Sequence, residues 1–231
     1  HRDVEDNSVA VATFETPTQQ LLIESELIIQ HYNESPLNFI VSDYAINYPF
    51  KYLANDNFIL SSYMVLPNEE TRTLLNNWIY NVYKYNETIQ TYTLLQKLTT
   101  YIFKNFTYKV REEAGVQTAK QTLSYGSGSC RDFAFLFMEV VKCLGLATRF
   151  VSGYLYAPLM SDKVGSTHAW AEVYLPGGGW IGFDPTTGNI AGTDHISVAV
   201  SRLPDNVPPI AGSFLGVSDS TISVGVWVTK V

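Results

Sequence analysis

The sequence has few cysteines and few basic residues, and it lacks a long uninterrupted apolar run. Two cysteines among 231 residues cannot form a disulfide-rich scaffold, and they cannot supply the four thiolates of a structural zinc site. Lysine and arginine total 15 against 22 acidic residues, so the formal net charge is −7. Because nucleic-acid binding needs clustered positive charge, the composition indicates no nucleic-acid partner.

The most apolar stretch, residues 140–160, contains Lys142 and Arg149. A transmembrane helix needs about 20 mostly apolar residues, so no transmembrane segment is predicted. The chain opens on His1 and the polar run HRDVEDNS, without the apolar segment of a signal peptide. We expect the chain to be a piece of a longer product, so its cellular localisation cannot be predicted from a targeting signal. A soluble, cytoplasmic protein is slightly favoured. No pattern in the sequence indicates an oligomeric state.

Two kinds of periodicity divide the chain. With 46% hydrophobic and 16% charged residues, it can bury a core. From Val9 to about Leu66, apolar and polar residues alternate in runs such as SVAVATFE, NFIVSDY and NFILSSYMV. A period of two predicts half-buried strands, so residues 1–66 are interpreted as part of a small N-terminal β domain. Residues 67–231 then form the second domain.

The second domain begins with helical patterns. Pro67-Asn68 followed by two glutamates is a helix-start signal, and the apolar spacing predicts a helix to about Lys84. A second helix is predicted from near Thr88, ending before the strand-like run FTYKV. After a polar tract, CRDFAFLFMEVVKCLG is apolar on nearly every face, which predicts a buried helix that ends at Gly145.

Strand-like runs follow the buried helix. They are ATRFVSGYLY from Ala147, THAWAEVYL from Thr167, WIGFD from Trp180, and HISVAV and TISVGVWV in the tail. No helical pattern separates these runs, and parallel neighbours would need crossover helices. The order therefore predicts an α+β fold with an antiparallel sheet.

Cys130 stands at the start of the buried helix, directly after GSGS. Unpaired N–H groups and the positive dipole end of a helix favour an anion, so the position favours a nucleophilic thiolate. The same N–H groups can stabilise an oxyanion. The alternative is that Cys130 is a small buried apolar residue. Cys143 lies at the other helix end, about 20 Å away, which excludes a disulfide and assigns it to the core.

His168 begins one strand and Asp184 ends the next, so a hairpin can bring imidazole and carboxylate together as a base and its orienting group. In an antiparallel hairpin, the residue numbers of directly opposite residues have a constant sum. His168 and Asp184 lie on the same face of the sheet only if this sum is even. A simple four-residue loop over 176–179 gives an odd sum, whereas its three glycines allow an odd loop or a bulge. We predict the even register. Without it, Asp184 is a turn residue before Pro185.

The remaining histidines carry weaker signals. His1 and His31 are expected to be surface or structural residues, and His195 could approach the mouth of a cleft, although no pattern requires it. Cys130, His168 and Asp184 could together bind zinc, but no second cysteine or histidine lies nearby in sequence. We therefore expect neither a metal nor another cofactor.

The runs GSGSCRDFAFLFMEVVKCLGLATRFVSGYL and STHAWAEVYLPGGGWIGFDPTTG resemble the bacterial transglutaminase-like superfamily. Members have a circularly rearranged papain-like fold and are often described as proposed cysteine proteases. The resemblance rests on GSCRD, HAW and GFDPT in that order, covers roughly Thr88 to Val231, and extends more weakly to the preceding β segment. It implies that 67–231 is a transglutaminase-like catalytic core in which the nucleophile helix packs on an antiparallel sheet.

The resemblance also implies roles for three residues. Cys130 is the nucleophile, His168 the general base and then acid, and Asp184 the residue that orients the imidazole. A second oxyanion donor can come from an aromatic or amide side chain before the nucleophile. Tyr108 and Tyr125 are the candidates, with packing as their alternative role.

Four neighbouring residues are interpreted as structural. Arg131 and Asp132 are expected to form a solvent-exposed ion pair at the helix start, where an acidic side chain suits the dipole. Trp170 and Trp180 could line an acyl cleft, but aromatic residues on a hairpin are more often part of the core.

The expected function is thiol-dependent acyl transfer by a cysteine peptidase or amidase. It would cleave peptide or isopeptide bonds in a peptide or protein substrate through a thioester. One alternative is a transglutaminase, which transfers the acyl group to an amine. The sequence contains nothing that resembles a calcium loop or a module recognising glutamine and lysine, which counts against this alternative. The other is a protein-interaction module with a relict triad, against which count the intact Cys130, His168 and Asp184.

Overall fold

The computed structural model describes residues 1–32, 35–85, 87–111, 113–156, 166–208, 212–216 and 221–229. The helices in this part of the chain are α1 (Ala54–Leu60), α2 (Glu69–Ile79), α3 (Thr91–Asn105), α4 (Ala119–Tyr125) and α5 (Cys130–Cys143). The strands are β1 (Asn47–Tyr48), β2 (Ile89–Gln90), β3 (Thr107–Tyr108), β4 (Ser127–Gly128), β5 (Thr148–Leu155), β6 (Ser166–Leu175), β7 (Gly179–Asp184), β8 (Asn189–Ile190) and β9 (His195–Ser201).

A five-stranded antiparallel sheet of order β8-β7-β6-β5-β9 forms the main β layer. Two short pairs, β1 with β2 and β3 with β4, lie outside it. The predicted α+β fold with an antiparallel sheet is confirmed. None of the helices in the described ranges has the length and apolarity needed to cross a membrane.

Helix α5 packs on the sheet through its apolar face, as the sequence predicts. Leu136, Phe137, Met138 and Val140 are fully buried in the core. The Phe137 ring stacks on the Phe183 ring of β7 with a centroid distance of 5.7 Å. Burial of such side chains contributes about 1.5–3 kcal/mol each, so the apolar run in α5 anchors the helix against β6 and β7.

The helix boundaries follow their capping residues. The Asn68 side chain accepts a hydrogen bond from the Thr71 N–H at 2.9 Å, which starts α2 at the predicted place, although the helix ends at Ile79 rather than near Lys84. Helix α4 lies in the polar tract where no helix was predicted. Its signal is the capping box between Thr118 and Gln121.

The β6–β7 hairpin has the predicted even register. Leu175 pairs with Gly179, Val173 with Ile181 and Ala171 with Phe183. The connecting loop has three residues instead of four because Gly179 already belongs to β7. This odd loop places His168 and Asp184 on the same face of the sheet.

The runs predicted as strands within residues 9–66 form none in the described part of this segment, and β1 lies outside those runs. Residues 9–32 contain no strand, and the run NFIL, predicted as a strand, lies in α1. A half-buried strand needs a partner for its N–H and C=O groups, and no segment in the described ranges forms a ladder with residues 10–32. The boundary after residue 66 stays a prediction. Tyr48, Tyr52 and Leu60 are buried in the same core as α5.

The tail run TISVGVWV was also predicted as a strand, but residues 221–229 contain none. The outer edge of β9 is instead occupied by the N-terminal turn. The Asn7 amide donates to the Val200 carbonyl and accepts from the Val200 N–H, both at 2.8 Å. A side-chain amide thus takes the place of a strand neighbour at this position.

A buried tryptophan fixes the shape of the sheet near its centre. Trp170 is 2% exposed and lies over Gly153 of β5 and Gly182 of β7. A Cβ atom on Gly153 would meet the carbonyl oxygen of Ile196 and lie 2.8 Å from Trp170 Cη2. Only a glycine at this position lets the ring and strand β9 approach together.

We expect Gly153→Ala to lower the free energy of unfolding by about 1–3 kcal/mol, because the added methyl overpacks the site. Gly212→Ala is the matched control, since in the described part of the chain only its sequence neighbours lie within 4 Å of the place that an added methyl would take. Urea denaturation of both variants measures the difference. Equal unfolding midpoints would contradict the close packing described for Trp170.

Candidate functional site

The candidate site lies where the end of β7, the starts of β6 and β9 and the start of α5 meet at one end of the sheet. His168 Nε2 and Asp184 Oδ2 are 2.8 Å apart. Asp184 is fully buried and His168 is 7% exposed. The prediction that the hairpin brings these two side chains together is confirmed, and their catalytic roles stay predictions.

The carboxylate of Asp184 is held by four donors. Oδ1 accepts from the Thr186 N–H at 2.8 Å, whereas Oδ2 accepts from Thr187 Oγ1 at 3.0 Å and lies 3.1 Å from His195 Nε2. His168 is the fourth partner. Burial alone would raise the pKa of Asp184, but the hydrogen bonds from His168 and His195, together with the charge of His168, outweigh it and hold the pKa well below its usual range. Asp184 is therefore ionised.

His168 faces both Asp184 and Cys130. Since Nε2 bonds to Asp184, Nδ1 is the nitrogen left to face the half-buried thiol of Cys130, and the interaction with this thiol contributes to the raised pKa of the ring. Burial alone would lower the pKa of His168. The interactions with Asp184 and Cys130 have the larger, opposite effect and raise the pKa to about 9. The imidazole therefore holds a proton at neutral pH and can stabilise a thiolate at the start of α5.

A second buried carboxylate fixes the start of α5. Asp132 accepts from the N–H and hydroxyl of Ser129 at 2.8 Å, from the Gln117 N–H at 2.7 Å, and from Arg111 at 2.6 Å. Burial would raise its pKa, yet these donors lower it overall. The predicted exposed ion pair with Arg131 is wrong, because the third helical residue points back toward its N-cap, while Arg131 donates to the Arg111 carbonyl.

Cys130 and His168 line a cleft of about 380 Å³, a size typical of ligand sites. Tyr108 also lines it, and burial together with the neighbouring Cys130 raises the pKa of its phenol. Tyr125, the other candidate for an oxyanion donor, is 62% exposed and lies outside the cleft lining. Of the two candidates, Tyr108 is therefore the one that lines the cleft together with Cys130.

The two tryptophans of the hairpin are packing residues, as expected. The Trp170 ring contacts the His168 ring at a centroid distance of 6.2 Å and the His195 ring at 5.1 Å. Trp180 packs against the Arg149 guanidinium at 4.5 Å from its ring centroid. Trp170 thus packs against both imidazole rings, whereas Trp180 packs against a residue outside the site.

Sequence reasoning gave His195 no defined role, but it contacts Asp184 directly. His1 and His31 are exposed. Cys143 lies at the far end of α5 as a free thiol, and burial raises its pKa to about 11. The prediction that the two cysteines do not pair is confirmed.

The side chains of His168, Asp184 and His195 offer three ligand atoms within 4.8 Å of one another, which is close enough to hold a metal ion. A metal would need the lone pair of His195 Nε2. However, His195 Nδ1 accepts a hydrogen bond from the Gly192 N–H at 3.1 Å, so the proton of the neutral ring lies on Nε2. This tautomer favours a hydrogen bond to Asp184 over metal binding.

Comparison with known proteins identifies relatives of this part of the chain. An uncharacterized protein of Mycobacterium leprae is 36% identical over 109 residues, which are 45% of this chain and 38% of that protein. An uncharacterized protein of Mycobacterium tuberculosis is 31% identical over 138 residues, which are 56% of this chain and 44% of that protein. The chain thus spans less than half the length of these curated relatives.

Among solved structures, a protein of Cytophaga hutchinsonii described as a proposed cysteine protease has a similar fold, with a TM-score of 0.52 and 23% identity. The match covers 65% of this chain and 48% of that chain. The model of the transglutaminase-like superfamily matches residues 83–185, which include α5 and the β6–β7 hairpin. Residues 83–185 are thus similar in sequence to the transglutaminase-like superfamily, and the arrangement of helix and sheet is papain-like.

Proposed function

We propose that this protein is a thiol-dependent acyl-transfer enzyme, acting as a cysteine peptidase or amidase on peptide or isopeptide bonds. The observation that carries the proposal is the position of His168, which bonds to the buried carboxylate of Asp184 and faces Cys130 at the start of α5. A nucleophile, a base and an orienting group in this order are the arrangement that nucleophilic catalysis requires.

The first step is attack by the Cys130 thiolate on the carbonyl carbon of the substrate, which forms a C–S bond and moves an electron pair onto the carbonyl oxygen. The first N–H groups of a helix have no partner within the helix, so those at the start of α5 can donate to this oxyanion. Tyr108 lines the cleft together with Cys130, so its hydroxyl is the candidate for a second donor to the oxyanion. The protonated His168 then donates its proton to the leaving amine as the C–N bond breaks.

The second step resolves the thioester that remains on Cys130. His168, now neutral, takes a proton from the attacking water, and the thiolate leaves as the acid product forms. Cys130 is half-buried in a cleft that reaches the surface, so water has access to the thioester. This access supports hydrolysis over transfer to an amine. Reaction of peptide substrates with and without a labelled amine distinguishes the two fates.

The first test is the rate of Cys130 alkylation by iodoacetamide against pH. We expect Cys130 to react faster at pH 7 than an ordinary thiol, because His168 and the helix start stabilise the thiolate. Cys143, with its pKa raised to about 11, is the internal control and stays unreacted under these conditions. Mass spectrometry of the two cysteine peptides separates their rates.

In this test, Cys130→Ala abolishes the fast reaction and His168→Ala moves it to higher pH. A Cys130 profile that rises near the ordinary thiol pKa and ignores His168 would refute the enzyme proposal. It would leave the interaction module as the better interpretation.

The protonation of His168 itself gives a second test. The charge and hydrogen bond of Asp184 favour the protonated imidazole, so Asp184→Asn lowers the pKa of His168 from about 9 toward its ordinary value of 6.5. We expect a fall of roughly 1 to 3 pH units. NMR titration of the His168 ring protons, assigned with His168→Ala, measures it. A pKa that does not change in Asp184→Asn would contradict the pairing.

The sign of this effect also sets how stability depends on pH. Because the folded pKa of His168 lies above 6.5, its protonated form stabilises the fold below pH 6.5, and this contribution is lost as the pH rises through about 9.

Tyr108→Phe tests the oxyanion role. Loss of one oxyanion donor lowers kcat by about 100-fold or more in comparable sites, and we expect a fall of at least about tenfold with little change in KM. Tyr125→Phe is the matched control, since Tyr125 lies outside the cleft. Turnover of a labelled peptide mixture provides the measurement. Equal activity of the two variants would return Tyr108 to a packing role.

A further inference from the structure

We infer that His195 is a positioning residue of this site: as a neutral donor to Asp184 it fixes the carboxylate that aims His168 at Cys130. The inference rests on the proposed function, and it adds a second histidine to the three residues expected from the sequence.

The hydrogen bonds of His195 define its tautomer. Its Nδ1 accepts a hydrogen bond from the Gly192 backbone N–H at 3.1 Å. The backbone N–H of His195 in turn donates to the Gly192 carbonyl at 2.9 Å. A ring nitrogen that accepts carries no proton, so the neutral imidazole holds its proton on Nε2. That nitrogen lies 3.1 Å from Asp184 Oδ2. His195 is therefore built to donate to Asp184.

An irregularity in β9 brings His195 to this position. Ser152 pairs with Ala199, but the next residue, Gly153, pairs with Ser197, so Val198 is an extra residue in β9. Side chains alternate between the two faces of a strand, and one extra residue reverses this alternation. Without the bulge, His195 would lie on the opposite face of the sheet from His168.

The contact with His195 completes the hold on the carboxylate. Thr186 fixes Oδ1, whereas Oδ2 is shared by His168, Thr187 and His195. A carboxylate with both oxygens bonded cannot rotate freely about its Cβ–Cγ bond. The His168 ring then keeps one orientation, in which Nδ1 faces Cys130.

The surroundings of His195 fit a role in positioning. Its side chain is 9% exposed, and its ring packs against Trp170, which also supports the His168 ring. The titratable groups that face His168 are Asp184 from β7, Cys130 from α5 and His195 from β9. Tyr108 interacts with both Cys130 and Asp184. A change in the titration of His168 therefore reports directly on this set.

Two substitutions separate the two nitrogens of His195. In His195→Gln the amide nitrogen lies near the place of Nε2 and can donate to Asp184. In His195→Asn the amide oxygen lies near the place of Nδ1 and can accept from Gly192, but the side chain is too short to reach Asp184. The Asn variant thus loses the contact with Asp184 and the Gln variant keeps it, while both retain a polar side chain.

The experiment compares the full chain and both variants by three measurements. These are iodoacetamide alkylation of Cys130 at pH 7, NMR titration of His168, and thermal unfolding. We expect alkylation to fall about tenfold in His195→Asn and the His168 pKa to fall by about one pH unit, since a hydrogen bond to a charged group is lost. His195→Gln restores both values to within about threefold and half a pH unit of the unsubstituted protein, which is the expected scale of an imperfect replacement.

The outcomes distinguish this inference from the proposed function. If both variants titrate and react like the unsubstituted protein, or lose reactivity equally with equal losses of thermal stability, the positioning role is refuted. If Cys130 of the unsubstituted protein has no reactivity at pH 7 above an ordinary thiol, the proposed function fails. The titration of His168 in the two variants still decides whether His195 acts through Asp184.

Discussion

The structure of the site depends on one buried charge, the carboxylate of Asp184. A buried carboxylate is strongly unfavourable unless its oxygens are hydrogen-bonded and its charge is balanced. Asp184 meets this condition with a backbone N–H, a hydroxyl and two imidazoles, which come from the turn after β7, from β6 and from β9. These elements must therefore converge at one point. The same convergence orients His168 toward the start of α5, so the hydrogen bonds that satisfy the carboxylate also produce the geometry that the proposed reaction requires.

A second carboxylate, Asp132, acts in the same way on the other half of the site. Its donors are Ser129 at the helix N-cap, Gln117 and Arg111, which belong to the segment before α5. Asp132 thereby joins the helix start to the cleft wall and sets the direction in which α5 enters the core. Cys130 follows Ser129 directly, so its position is fixed by the cap. Cys130 and His168 are thus each placed by a buried carboxylate.

The sequence was sufficient where a signal is local or periodic. Three predictions of this kind are confirmed. They are the buried helix α5, the start of α2 at Asn68, and the register that places His168 and Asp184 on one face of the sheet. Long-range partners left no such signal. Asp132 bonds to Arg111 instead of Arg131 because a loop 21 residues away returns to the helix start. Residues 9–32 alternate like a strand, yet alternation predicts a strand only where a neighbour supplies hydrogen bonds. His195 was undervalued because one bulge in β9 reverses which face its side chain occupies.

The neutrality of His195 is what allows one carboxylate to serve two imidazoles. If both rings carried a positive charge, they would repel each other across Asp184, and their attraction for Oδ2 would be divided between them. The Gly192 N–H opposes this, because it points at the Nδ1 lone pair that protonation would consume. His195 then contributes a hydrogen bond without a charge, and the attraction of the ionised carboxylate acts on His168. The proton that the proposed reaction needs is therefore kept on His168, between Asp184 and Cys130.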